Sequence, residues 1–152
     1  MDYYSLKKIF SGLPHADEPN FKELEKFYDH HKVSILSTLP WMISELIEND
    51  GFDCMSEFVR LHGGSRLYLN KDRIRFIEKT GIAISEKTYA TFTRNTAPSG
   101  VLDIPSAWGI FLGLRKVAVK SVLAQGIGMH QIARDFGVTA RSLRKMLRMD
   151  GL

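Results

Sequence analysis

The nine residues Ala140-Arg-Ser-Leu-Arg-Lys-Met-Leu-Arg148 hold the closest spacing of chemically capable side chains in this 152-residue chain. On a helix, Arg141, Arg144, Lys145 and Arg148 stand at i, i+3, i+4 and i+7, so four long cationic donors share one face. Such donors suit phosphate oxygens, and an arginine fork also matches the O6 and N7 acceptors of guanine. The outward face is expected to comprise Ala140, Arg141, Ser142, Arg144, Lys145 and Arg148. Early residues of such a helix meet base edges and later ones meet backbone phosphate. Arg141 is the candidate for a guanine contact and Arg148 for a phosphate contact.

The residues before this helix have the types needed to present it. Ala133 is small enough for a close helix crossing. Gly137 follows at a helix end, where a left-handed backbone favours glycine. Val138 plugs the turn, and the Thr139 hydroxyl caps the next helix. Ile132, Phe136, Leu143 and Leu147 are expected to bury together against a helix at about 107–124. These signals predict a C-terminal tri-helical helix-turn-helix domain. Thr139 joins the candidate DNA-binding residues, and Arg134 is a possible phosphate contact from the first helix. The alternative is an αα-hairpin with a solvated basic face. His130 is a phosphate contact or an exposed bystander.

Charge is distributed unevenly. Residues 101–152 carry eight Lys/Arg against three Asp, leaving +5 there and −1 on residues 1–100, out of a total of +4. A basic end on a near-neutral body points to a polyanionic partner, since cations that neutralise phosphates release counterions. The longest apolar run, Trp108–Leu114, is too short to span a bilayer, and no membrane partner is expected. The first residues lack the basic-then-apolar order of a signal peptide. The single cysteine, Cys54, allows no internal disulfide, and a cytoplasmic, nucleoid-associated location is expected.

Along the chain, residues 1–19 read as an irregular arm or a brief helix. Helices are expected at about 21–31, opened by the Asn20/Glu23 capping pattern, and at about 35–49, where Pro40 marks a kink or a true first turn. A third, capped by Asp53, stops at Gly63-Gly64. A short strand is expected near 65–69, then a helix over 71–79 with Ile74 and Ile77 inward, and one capped by Ser85 carrying Tyr89 and Phe92. The clearest loop, Asn95–Gly100, sets the expected boundary between residues 1–100 and 101–152. The fold class is therefore mainly α, with an N-terminal helical association module containing one short β-strand and a C-terminal helix-turn-helix domain. Trp41 and Trp108 are expected in the core, and Cys54 as a small buried hydrophobe.

Other chemistry finds less support. His30, His31, Cys54 and His62 lack metal-ligand spacing. Gly126-Ile-Gly128 lacks the third glycine of a dinucleotide loop, and there is no nucleophile elbow. No cofactor or metal is expected. At Gly63-Gly64-Ser65-Arg66, backbone amides flanked by Arg66 and Lys71 form a possible phosphate site, with Gly64, Arg66 and Lys71 as its contacts. A plain helix stop before a strand is the simpler reading.

Two blocks resemble the Mor transcription activators, which serve the middle and late operons of transposable bacteriophages. One is Phe58–Leu69, a helix ending in Gly-Gly and then a strand with an aliphatic-Tyr-aliphatic triplet. The other is Leu114–Leu147. Asn70 stands where that family usually has proline, and residues 70–106 form a longer connection than the family's. The resemblance implies a homodimer formed through the N-terminal helices, binding a dyad DNA site and recruiting RNA polymerase. The expected function is thus a sequence-specific double-stranded-DNA-binding transcription regulator, an activator rather than an enzyme. The alternative is a DNA-processing enzyme of the recombinase or transposase type. It needs a carboxylate cluster, or a Ser or Tyr nucleophile among arginines, and Tyr68 with Arg66 and Arg73 is the nearest arrangement. An adaptor that binds protein through the same motif is a third reading.

Overall fold

The computed structural model describes residues 2–10, 20–69 and 72–148. The chain is mainly helical, with ten helices and one two-stranded sheet among the described residues. It divides into two compact units, one formed by residues 1–38 with 111–152 and the other by residues 39–110.

The discontinuous unit holds α1 (Tyr3–Phe10), α2 (Asn20–His30) and α3 (Lys32–Thr38). It also holds most of α8 (Ala107–Ala124), with α9 (Met129–Phe136) and α10 (Ala140–Arg148). The Asp2 carboxylate accepts the Ser5 N–H at 2.8 Å, satisfying an orphan donor at the start of α1. Along α8, Leu114, Val117, Ala118 and Val122 recur at helical spacing and are all buried. Leu6 of α1, Phe27 of α2 and Ile35 of α3 are buried in the same unit. The division expected near residue 100 is therefore replaced. The apolar faces of the first helices are buried in the unit that carries α8–α10, and they do not form a separate module.

The contiguous unit begins with α4 (Trp41–Asp50) and α5 (Phe52–His62), packed on each other. Pro40 opens α4, with its carbonyl accepting the N–H groups of Ile43 and Ser44 at 3.0 and 3.1 Å. The single helix expected over 35–49 is thus two helices, because proline has no N–H to continue α3 and disfavours a helical Leu39 before it. Next come β1 (Arg66–Tyr68), α6 (Arg73–Thr80), α7 (Glu86–Thr96) and β2 (Val101–Asp103). The Ser85 hydroxyl caps α7 by accepting the Thr88 N–H. Asp50, at the end of α4, accepts from the Thr88 hydroxyl at 2.6 Å and from the Ser85 N–H at 3.2 Å, tying α4 to the start of α7.

The expected strand is present but paired. Antiparallel β1 and β2 match Arg66 with Asp103, Leu67 with Leu102 and Tyr68 with Val101. The chain after the 95–100 loop therefore stays in this unit, which is why that loop is no boundary. The Gly-Gly pair has two separate causes. A Cβ on Gly63 would lie 2.5 Å from the Val59 carbonyl oxygen and 3.2 Å from backbone atoms of Pro105 and Ala107. Gly64 instead needs its φ of +81°.

Three burial expectations are corrected. Trp41 and Trp108 are half-exposed, with Trp41 meeting Phe92 edge-on at 5.9 Å. A large ring packs one face and leaves the other wet. In α6, Phe76 is fully buried and Ile74 is half-exposed, because the larger side chain takes the inward position. Cys54 is only partly buried, which still pushes its thiol up to about 11. Among the described residues, no helix is long and apolar enough to cross a membrane.

Candidate nucleic-acid interface

The C-terminal elements match the expected spans closely. α8 ends at Ala124, and Gly126, at φ +89°, turns the chain toward α9. Gly137 ends α9 in the left-handed region, at φ 73° and ψ 30°, and its N–H returns to the Ala133 carbonyl. The Val138 N–H joins it there at 2.9 Å, so the carbonyl left open at the end of α9 takes two donors. The Thr139 hydroxyl accepts the Ser142 N–H at 3.0 Å and donates to the Ser142 hydroxyl at 2.8 Å. Such a cap contributes about 1 kcal/mol to helix stability. It also fixes the rotation at which α10 starts.

Ile132, Ala133, Phe136 and Leu143 are buried, and α9 packs on α10. Leu147, expected in the same cluster, is only half-buried, as is Met146 beside it. That burial determines what faces outward. Arg141, Ser142, Arg144, Lys145 and Arg148 are all exposed, and Ala140 and Val138 are half-buried. The four cations line one open recess of about 510 Å³. None of them joins an ion pair among the described residues. Between residues 107 and 148 there are eight Lys/Arg and one acidic residue, Asp135. Four like charges crowded on two helical turns repel one another, and an external anion relieves that repulsion. Arg134 is exposed on α9 and is likewise outside the ion pairs.

One contact to this region had no signal in the sequence. Helix α1 packs on α9. The Tyr3 hydroxyl donates to the Asp135 carboxylate at 2.9 Å, with the Gln131 carbonyl at 3.5 Å, and the Tyr3 ring stacks on Phe136 at 6.1 Å. Burial, with the carboxylate beside it, pushes the Tyr3 phenol up to about 12. Tyr3 therefore stays protonated, as a donor, at any physiological pH.

The Gly-Gly turn is arranged differently from an anion site. The N–H groups of Gly63, Gly64 and Ser65 donate to the carbonyls of Val59, Ile104 and His62. Arg66 donates to Asp103 across the sheet at 2.8 Å, and hydrogen bonding to that carboxylate holds its guanidinium even more firmly charged. With Gly64 and Arg66 so engaged, the turn acts as the helix stop. Lys71, the third contact expected there, lies outside the described residues. The arginines of the tyrosine–arginine arrangement are also engaged, Arg66 as above and Arg73 by donating to the Ile84 carbonyl at 2.9 Å and lying 3.8 Å from Glu86, while Tyr68 is exposed. Among the described residues, no three His, Cys, Asp or Glu side chains gather as a metal site. His62 packs on Phe58 and shares a hydrogen bond of 2.7 Å with the Thr80 carbonyl.

Comparison with known proteins finds no matching family model, no matching curated protein and no matching solved structure.

Proposed function

We propose that this chain is a sequence-specific double-stranded-DNA-binding transcription regulator that reads the major groove with α10. One observation carries the reading: Arg141, Arg144, Lys145 and Arg148 share one exposed recess and join no ion pair among the described residues. Behind them, α9 and the Gly137–Thr139 turn supply the small residue, left-handed glycine and hydroxyl cap of a helix-turn-helix, in that order. Arg141, in the first turn, is assigned to a base edge. Arg144 and Lys145 serve base or phosphate, and Arg148 and Arg134 serve phosphate. A single recognition helix spans few base pairs, so tight binding calls for a homodimer on a dyad site. The resemblance of Phe58–Leu69 and Leu114–Leu147 to the Mor activators supports the same assembly, acting as an activator through RNA polymerase.

Selection of duplexes from a random pool, followed by fluorescence anisotropy, tests the proposal. A preferred site is expected, and Arg141→Ala should lose roughly 1–3 kcal/mol on that site while binding to random duplex stays nearly unchanged. A pool that yields no preferred duplex, together with salt-insensitive binding, overturns it.

A further inference from the structure

Helix α9 has one exposed edge with His130 and Arg134, and a neighbouring edge with Gln131 and Asp135. Residues four apart lie above one another, and the two pairs are offset by about a quarter turn. Helix α1 meets the second edge through Tyr3 and half-buries Asp135, while His130 and Arg134 on the first edge are exposed. That second edge holds Asp135, the sole carboxylate side chain between residues 107 and 148. Asp135 adjoins Arg134 in sequence, and both charges act on the Tyr3 phenol. Helix neighbours one apart do not face each other, so the carboxylate reaches the guanidinium, and competes there with an incoming phosphate, only when it is free to swing toward it. Here it is tied instead to Tyr3, whose ring is stacked against Phe136.

We infer that Tyr3, far from α9 in sequence, is a positioning residue for nucleic-acid binding: it holds the Asp135 carboxylate on the α1 side of α9, so that Arg134 is left free for a DNA phosphate. This inference rests on the DNA-binding reading above. The phenol suits the task because it donates a hydrogen bond without adding a charge, and so it leaves the positive field of the unit intact. Its raised titration keeps that donor available at every pH at which the protein works.

The test uses the full chain and the duplex recovered by selection, with affinity measured against salt. Tyr3→Phe keeps the ring stack and removes only the donor. The released carboxylate then pairs with Arg134 and removes one phosphate contact per chain. One contact of slope about −0.9 in log–log salt dependence corresponds to about eightfold in affinity at 0.1 M salt. An eightfold loss per chain, about sixtyfold for the homodimer on its dyad site, and a shallower slope are therefore expected. Adding Asp135→Asn to Tyr3→Phe should restore both, because the competing charge is gone. In an Arg134→Ala background, Tyr3→Phe should cost nothing further. A merely structural role for Tyr3 predicts the opposite on both counts, with no rescue and an additive loss, and either result overturns the inference. So does a Tyr3→Phe protein that binds like the parent. Failure of the parent chain to bind any duplex is a different outcome, since it refutes the DNA-binding reading itself.

Discussion

Replacing Gly137 with alanine isolates one physical cost. The residue sits at φ 73° and ψ 30°, and a Cβ built on it meets no atom within 4 Å. The penalty is therefore conformational and not steric: about 1–2 kcal/mol for an L-residue held in the left-handed region. The two hydrogen bonds into the Ala133 carbonyl come from the backbone and survive the change. Gly137→Ala should lower the unfolding free energy in urea by that amount. Gly137→Asn should lose clearly less, because asparagine tolerates this region. Duplex affinity, measured where both variants are fully folded, should fall only if the turn relaxes and α10 changes its start. Two results refute the reasoning. A loss well above 3 kcal/mol means that the space around Gly137 is filled. Equal losses for alanine and asparagine mean that the left-handed backbone is not the cause.

Gly63→Ala should behave in the contrary way. Its φ is ordinary, but the new methyl group would lie 2.5 Å from the Val59 carbonyl oxygen, so overpacking of roughly 1–3 kcal/mol is expected in the same unfolding assay. A neutral result would show that the α5–β1 junction yields freely. For Arg148→Ala, the plot of log affinity against log salt should become shallower by about one unit per chain with the order of preferred duplexes unchanged, as for any phosphate contact. A changed preference would move Arg148 to the base-reading group.

The candidate interface was legible because its signals are local. Gly137, Thr139 and the i, i+3, i+4, i+7 basic residues are separated by no more than a few turns of chain, and each type has a backbone reason for its place. Helix α8 was legible too, its apolar residues repeating over many turns. What escaped were pairings set by distant partners. Val101–Asp103 is too short to show strand periodicity, and it becomes a strand only because Arg66–Tyr68 lies beside it. Tyr3 and Asp135 meet across most of the chain, and nothing near either residue announces the other. At Pro40 the local signal allowed two outcomes, and the structure takes the one in which the proline opens a new helix. Trp41, Trp108 and Ile74 show the limit of apolarity as a guide. It says what gains from burial, while the number of inward positions says what receives it.

The interleaved order of the two units has a consequence for biosynthesis. Residues 39–110 are contiguous, so their sheet, Asp50 clamp and apolar core can close as soon as β2 has left the ribosome. Helices α1–α3 leave earlier, and α1 can meet α2 and α2 meet α3 at once, yet the contact of α1 with α9 waits for later residues. Until α9 is made, the face of α1 that carries Tyr3 lacks its Phe136 and Asp135 partners. Tethering by an already folded middle unit shortens the effective loop that the two ends must close, and the entropic cost of closure falls with it. The contact of α1 with α9 and the packing of α9 on α10 thus form only after the contiguous unit has been synthesised.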